Sequence, residues 1–187
     1  MTEPKDEVLP DLAEFDEFFS EFEGESDRAA VILGAARLDI LLDQLLRMHL
    51  LPTTESHDEL FDGDAPLSTF HARSLLAYRL GLIDVNFVKA LHLTRKIRNA
   101  FAHEGTGCDL NKGGNRDRVK ELKKLFGHDA KFKEWTEMFF KGKPGCSSDF
   151  RTALAIMTLR LEGAVGDITQ ISGYKPWSVV PPDWEKK

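Results

Sequence analysis

Arg98, Asn99 and His103 lie in the run Leu93-Thr94-Arg95-Lys96-Ile97-Arg98-Asn99-Ala100-Phe101-Ala102-His103-Glu104, and their types and spacing suggest chemistry. An imidazole with an ordinary pKa of about 6.5 shuttles protons at neutral pH. A guanidinium holds a phosphate in a forked geometry and stabilises its charge. A carboxamide such as that of Asn99 orients either group. Together these are the parts needed when a ribose 2′-OH attacks the adjacent phosphate, a cleavage that requires no metal. Five residues of helix separate Arg98 and His103 by roughly 7–8 Å along the axis, which a long Arg side chain spans. The plainer reading is a helix C-terminus, where Arg and His satisfy the last carbonyls and the dipole.

Other constellations carry less. His49, His57, His71, His92, His103 and His128 do not pair at the helical spacing of a zinc protease motif, so no metal or other cofactor is expected. Gly105-Thr106-Gly107 and Gly113-Gly114 lack the strand and Lys-Ser/Thr context of a phosphate loop. Cys108 and Cys146 form neither a CxxC pair nor a disulfide framework, which suits a reducing compartment. An acidic N-terminus without an apolar stretch and the lack of any long apolar run predict a cytoplasmic protein that does not enter a membrane.

The positioning elements read as helices throughout. The sequence predicts an all-α bundle of about five to seven helices, two of them long and central, with no sustained period-two alternation. Residues 1–25 form an acidic arm whose Leu12, Phe15, Phe18, Phe19 and Phe22 make a short amphipathic helix. Residues 26–171 form the bundle, and 172–187 a tail with Pro176, Trp177, Pro181, Pro182 and Trp184. Ser26 caps the first long helix, which Pro52 stops. Pro66 is expected to open the next helix, with Asp62 and Asp64 fixing its start and Gly81 taking the left-handed position that ends it. Asp84 caps a helix reaching His103; a basic helix over 116–126, one over 130–141 and a last long helix capped at Ser147 or Ser148 follow.

Charge is unevenly spread. Residues 1–27 hold 11 acidic groups and one basic group, whereas 95–143 hold 13 basic and 7 acidic. Two solvated surfaces account for this; so does a basic face for RNA or an acidic partner, shielded by the arm. No helix-turn-helix is legible, because 116–126 follows a Gly-rich loop, so sequence-specific DNA binding by the chain alone is not expected.

The Arg98-Asn99-x3-His103 spacing resembles the signature of the HEPN superfamily, in which such residues end a helix of a helical bundle. That resemblance implies a metal-independent endoribonuclease, possible as the toxin of a toxin–antitoxin pair, with Arg98, Asn99 and His103 brought together by two subunits. A second resemblance spans about residues 26–104. The run Phe61-Asp62-Gly63-Asp64-Ala65-Pro66-Leu67-Ser68, then Arg73, Leu75, Leu76, Tyr78 and Leu80-Gly81-Leu82-Ile83, is similar to the mannitol operon repressor (MltR-like) family. It implies a bacterial transcriptional regulator, a homodimer acting through protein partners, with Asp62, Gly63, Asp64, Pro66, Arg73 and Gly81 as its structural motif. The chain departs at Ala65, where the family prefers Gly, and 116–145 and the Trp-containing tail have no counterpart, so mannitol uptake genes are not carried over as the target. Regulator and ribonuclease stand as the two readings.

Overall fold

The computed structural model describes residue 22 and residues 24–104, 107–127, 130–140 and 145–172. Among these the chain forms six helices and no strand. They are α1 (Asp27–His49), α2 (Phe70–Arg79), α3 (Val85–His103), α4 (Gly113–Phe126), α5 (Ala130–Phe140) and α6 (Cys146–Asp167). The expected all-α bundle is therefore observed. Its two longest helices, α1 and α6, pack on each other at the centre; α2 and α3 cover α1, while α4 and α5 cover α6.

Sequence dictates this arrangement through apolar spacing. Leu38, Leu41, Leu42, Leu45 and Leu46 of α1 are buried, as are Phe150, Leu154, Met157 and Leu161 of α6. Gly34 lets the two helices approach. A Cβ there would collide with Leu154 and come within 3.2 Å of the Phe22 ring. Phe22 joins the core, whereas Leu12, Phe15, Phe18 and Phe19 of the expected arm helix lie outside the described residues. So do Trp177 and Trp184.

Helix ends follow local chemistry. The Ser26 hydroxyl accepts from Ala29 N at 3.2 Å, and the Asp84 carboxylate accepts from Asn86 N and Phe87 N at 2.7 and 2.9 Å. Gly81 ends α2 with φ +75°; its N–H donates to the Tyr78 carbonyl and that of Leu82 to the Ala77 carbonyl, a closure that glycine favours.

Two expected starts are corrected. Pro66 does not open α2. The chain first makes a turn, with Leu67 N donating to the Leu60 carbonyl at 2.8 Å, and Thr69 caps the helix by accepting from Ala72 N at 3.2 Å. Asp64 is exposed at a distance from that helix start, and Asp62 accepts instead from Asp58 N at 3.0 Å. The last helix begins at Cys146 without a side-chain cap, because Ser148 donates to the Gly145 carbonyl and Ser147 to Asp27.

Beyond α6 the backbone clips onto the end of α1. Ile171 N donates to the His49 carbonyl at 2.7 Å, and Gln170 Nε2 donates to the Leu50 carbonyl at 3.2 Å.

Candidate functional site

α3 turns Phe87, Leu91, Thr94, Ile97 and Phe101 into the core. Arg98, on the same side of α3 as Leu91 and Thr94, is half-buried; Asn99 is half-buried and His103, the last helical residue, exposed on the far side. Among the described residues these three side chains form no hydrogen bond or ion pair. A step of five residues also turns about 140° around the axis, so Arg98 and His103 leave α3 in different directions. Asn99 and His103, one turn apart, share a face. One chain therefore does not converge the Arg and His on a single phosphate; a second copy would be needed to bring an Arg opposite a His.

The end of α3 is capped from elsewhere. The Arg28 guanidinium donates to the carbonyl oxygens of Phe101 and, at 2.8 Å, Glu104, and it lies 5.8 Å from the Phe101 ring centre. The capping role open to Arg98 and His103 belongs to a residue of α1. Beside this end, a pocket of about 300 Å³ lies between Glu104, Cys108, Asp109, Lys112 and Arg118. The Cys108 thiol is pushed up from its ordinary pKa by burial and by Glu104, and Asn115 Nδ2 donates to its sulfur at 3.3 Å. Burial and then Asp149 raise Cys146 as well. Both thiols therefore stay protonated at neutral pH and are poor nucleophiles.

The residues of the Asp62–Gly81 motif meet α1 through a charge network. Arg73 pairs with Asp39 at 2.7 Å and with Asp43 at 3.0 Å. Arg47 pairs with Asp43 at 2.8 Å, Asp58 at 3.0 Å and Asp62 at 3.1 Å, with its guanidinium 4.3 Å from the Phe61 ring centre. The Asp62 carboxyl is held below the usual carboxylate range by the Asp58 N–H and then by Arg47. Asp62 and Arg73 thus tie the turn and α2 to α1. Gly63, at φ +67°, supplies the left-handed step of the turn, while Asp64 and Pro66 stand exposed.

A second face of α1 is exposed and carries large apolar residues interspersed with Arg37, Gln44 and Arg47. Leu33 is 49% exposed, Ile40 51% and Met48 49%, and Leu51 continues the line just beyond the helix at 52%. Leu33, Ile40 and Met48 fall within an arc of about 80° on the helix. Next to its C-terminal end, an open groove of about 710 Å³ is lined by Arg47, Leu50, Leu51, Pro52 and Phe61 among others.

Between α2 and α3, His71 and His92 place their ring centres 5.0 Å apart at 53°. His71 Nδ1, His92 Nε2 and the nearby Arg95 Nε are buried without a hydrogen-bond partner. Burial, then His71, Arg95 and Lys96, lowers the His92 pKa.

Among the described residues no group of three or more His, Cys, Asp or Glu side chains is placed to hold a metal ion, and no helix is long and apolar enough to cross a membrane. The basic α4 buries Val119, Leu122 and Phe126 against the body, and its Lys123 pairs with Asp149 at 2.8 Å. Sequence reasoning passed over Arg28 and Arg151. Both are arginines near apolar helix ends, a pattern too common in sequence to single out. Comparisons with protein families, with characterised proteins and with solved structures find no match to this chain.

Proposed function

We propose that this protein is a regulatory module, similar to MltR-like regulators, that works through protein contacts as a homodimer. One observation carries the reading: the uncovered apolar line Leu33, Ile40, Met48 and Leu51 on the central helix. Single exposed apolar residues are ordinary, but an aligned set on a rigid helix is the form taken by a contact surface. The basic α4 supports the same reading, since its apolar side is spent on the bundle and it does not follow a partner helix through a tight turn. The deciding experiment compares transcript profiles of cells lacking the gene, cells carrying Ile40→Asp and cells carrying His103→Ala. Ile40→Asp should reproduce the deletion and His103→Ala should match the wild type. The reverse pattern would overturn the regulatory reading.

A ribonuclease of the HEPN type is the second reading. It is favoured by the lack of a bonding partner for Arg98, Asn99 and His103 while Arg28 caps their helix. In that reading His103 exchanges the proton, Arg98 holds phosphate, Asn99 orients them, and two chains assemble the site on RNA.

A further inference from the structure

The chain reaches the lip of an open groove just before residues 173–187 begin. After α6, His49 Nδ1 lies 2.9 Å from the Thr169 carbonyl oxygen, Ile171 N donates to the His49 carbonyl at 2.7 Å, and Gln170 Nε2 donates to the Leu50 carbonyl at 3.2 Å. These bonds fix the point from which residues 173–187 depart. Leu50 and Leu51 themselves line the groove of about 710 Å³ between the end of α1 and the turn that carries Leu60 and Phe61. Leu51 is two residues beyond His49, so the two lie within about 7 Å of each other.

The groove has a definite chemistry. Leu51 and Leu60 are 52% and 46% exposed, and Pro52 is exposed beside them. The charge of Arg47 is already taken up by Asp43, Asp58 and Asp62, and its guanidinium covers Phe61. Glu55 and Glu59, which also line the groove, are exposed and form no ion pair among the described residues. Such walls suit a flat apolar group with a cation beside it.

Gly173-Tyr174-Lys175-Pro176-Trp177 supplies both. Lys175 is the only charged residue between positions 173 and 182. Pro176 favours an extended backbone at Lys175. An extended chain carries Trp177 up to about 17 Å from Ser172, a radius that takes in the groove. Tethering also settles the competition between occupants. A short linker holds its end at an effective concentration in the millimolar range, so a contact too weak to retain a separate peptide retains this one.

We infer that residues 174–177 of the chain seat in this groove, with Trp177 against Leu51, Pro52 and Leu60 and with Lys175 beside Glu55 and Glu59. The occupant covers Leu51, the end of the exposed line on α1, so a partner that uses Leu51 must first displace the tail. The inference does not depend on which partner that is.

Fluorescence of the full-length protein tests the occupant. Trp135→Phe with Trp184→Phe leaves Trp177 as the sole indole. Its emission should lie to the blue of a solvated indole, and acrylamide should quench it about threefold less than in the same chain carrying Leu60→Glu. Leu60 is half exposed, so that variant should keep its helix content by circular dichroism. Emission and quenching of a solvated indole, unchanged by Leu60→Glu, would overturn the inference.

Cross-linking tests where the tail goes and whose groove it fills. In a full-length background with Cys108→Ser and Cys146→Ser, Thr54→Cys/Ser178→Cys is treated with a short bis-maleimide. Thr54 lines the groove. The product should have the mass of a single chain. It should form at least about tenfold faster than with Lys112→Cys/Ser178→Cys, because Lys112 lies beside Asn111, which accepts from Cys146 N at the far end of α6. Equal rates for the two pairs would overturn the docking. A product of twice the chain mass would overturn it in favour of exchange of tails between two copies.

Discussion

The Arg28 guanidinium donates to the Glu104 carbonyl oxygen at 2.8 Å, joining the first turn of α1 to the end of α3. That bond leaves the helix terminus satisfied without His103. Replacing Arg28 by Met should lower stability by about 1.5–3 kcal/mol, the usual scale for a charge-assisted hydrogen bond. Arg98→Ala and His103→Ala should each change it by less than about 0.5 kcal/mol, as surface substitutions do. Chemical denaturation of the three variants checks this. A His103 loss as large as the Arg28 loss would return His103 to a capping role.

Arg151 anchors the entry to α1. It is 5% exposed and donates to the carbonyls of Phe22 and Glu25 at 2.7 and 2.8 Å and to Asp27 at 3.2 Å. Arg151→Ala removes a buried guanidinium and its bonds to Phe22, Glu25 and Asp27 and should cost about 3 kcal/mol. Arg151→Lys should recover only part of this, because one ammonium cannot span the same fork of acceptors. A melting temperature for Arg151→Ala within a degree or so of wild type, measured by calorimetry, would contradict the anchor.

The seam between α2 and α3 should weaken in mild acid. Burial and the neighbouring His71, Arg95 and Lys96 lower the His92 pKa in the folded chain, so the unfolded chain binds its proton more readily. The contribution is complete above the ordinary histidine value of about 6.5 and is lost as pH falls below it toward the lowered value. Melting temperature should therefore drop between neutral pH and mild acid, and His92→Gln should flatten that part of the curve. A His92→Gln profile parallel to wild type would contradict the account.

Much of the fold was legible because it rests on spacing. The apolar periodicity of α1, α3 and α6, the caps at Ser26 and Asp84 and the left-handed Gly81 all act within a few residues of chain, where sequence carries the signal. The start of α2 was misread for the same reason. Asp62-Gly63-Asp64-Ala65-Pro66 has the composition of a helix entry, yet Asp62 is drawn to Arg47, fifteen residues away, and the turn uses the Pro before the helix begins. Tertiary pairing overrode the local pattern. At the candidate site, the trio Arg98, Asn99 and His103 was visible as a motif, but the roughly 140° between Arg98 and His103 and the Arg28 cap are three-dimensional facts.

Thr69, not Asp64, sets the start of α2. Thr69→Ala should cost about 1 kcal/mol through the lost bond to Ala72 N, while Asp64→Ala should be near neutral. Urea titrations of the two variants compare them directly. A larger loss for Asp64→Ala would restore the aspartate as the helix start.

The reading of this chain as a protein-contact module and not a nuclease meets its sharpest test in one assay. Purified wild type, Arg98→Ala and His103→Ala are each incubated with labelled single-stranded RNAs of varied sequence in EDTA, and the products are resolved by length. The account predicts that wild type leaves the RNA as intact as the two variants do. Metal-independent cleavage by wild type that both substitutions abolish, with their helix content unchanged by circular dichroism, would contradict it and place Arg98 and His103 in an active site.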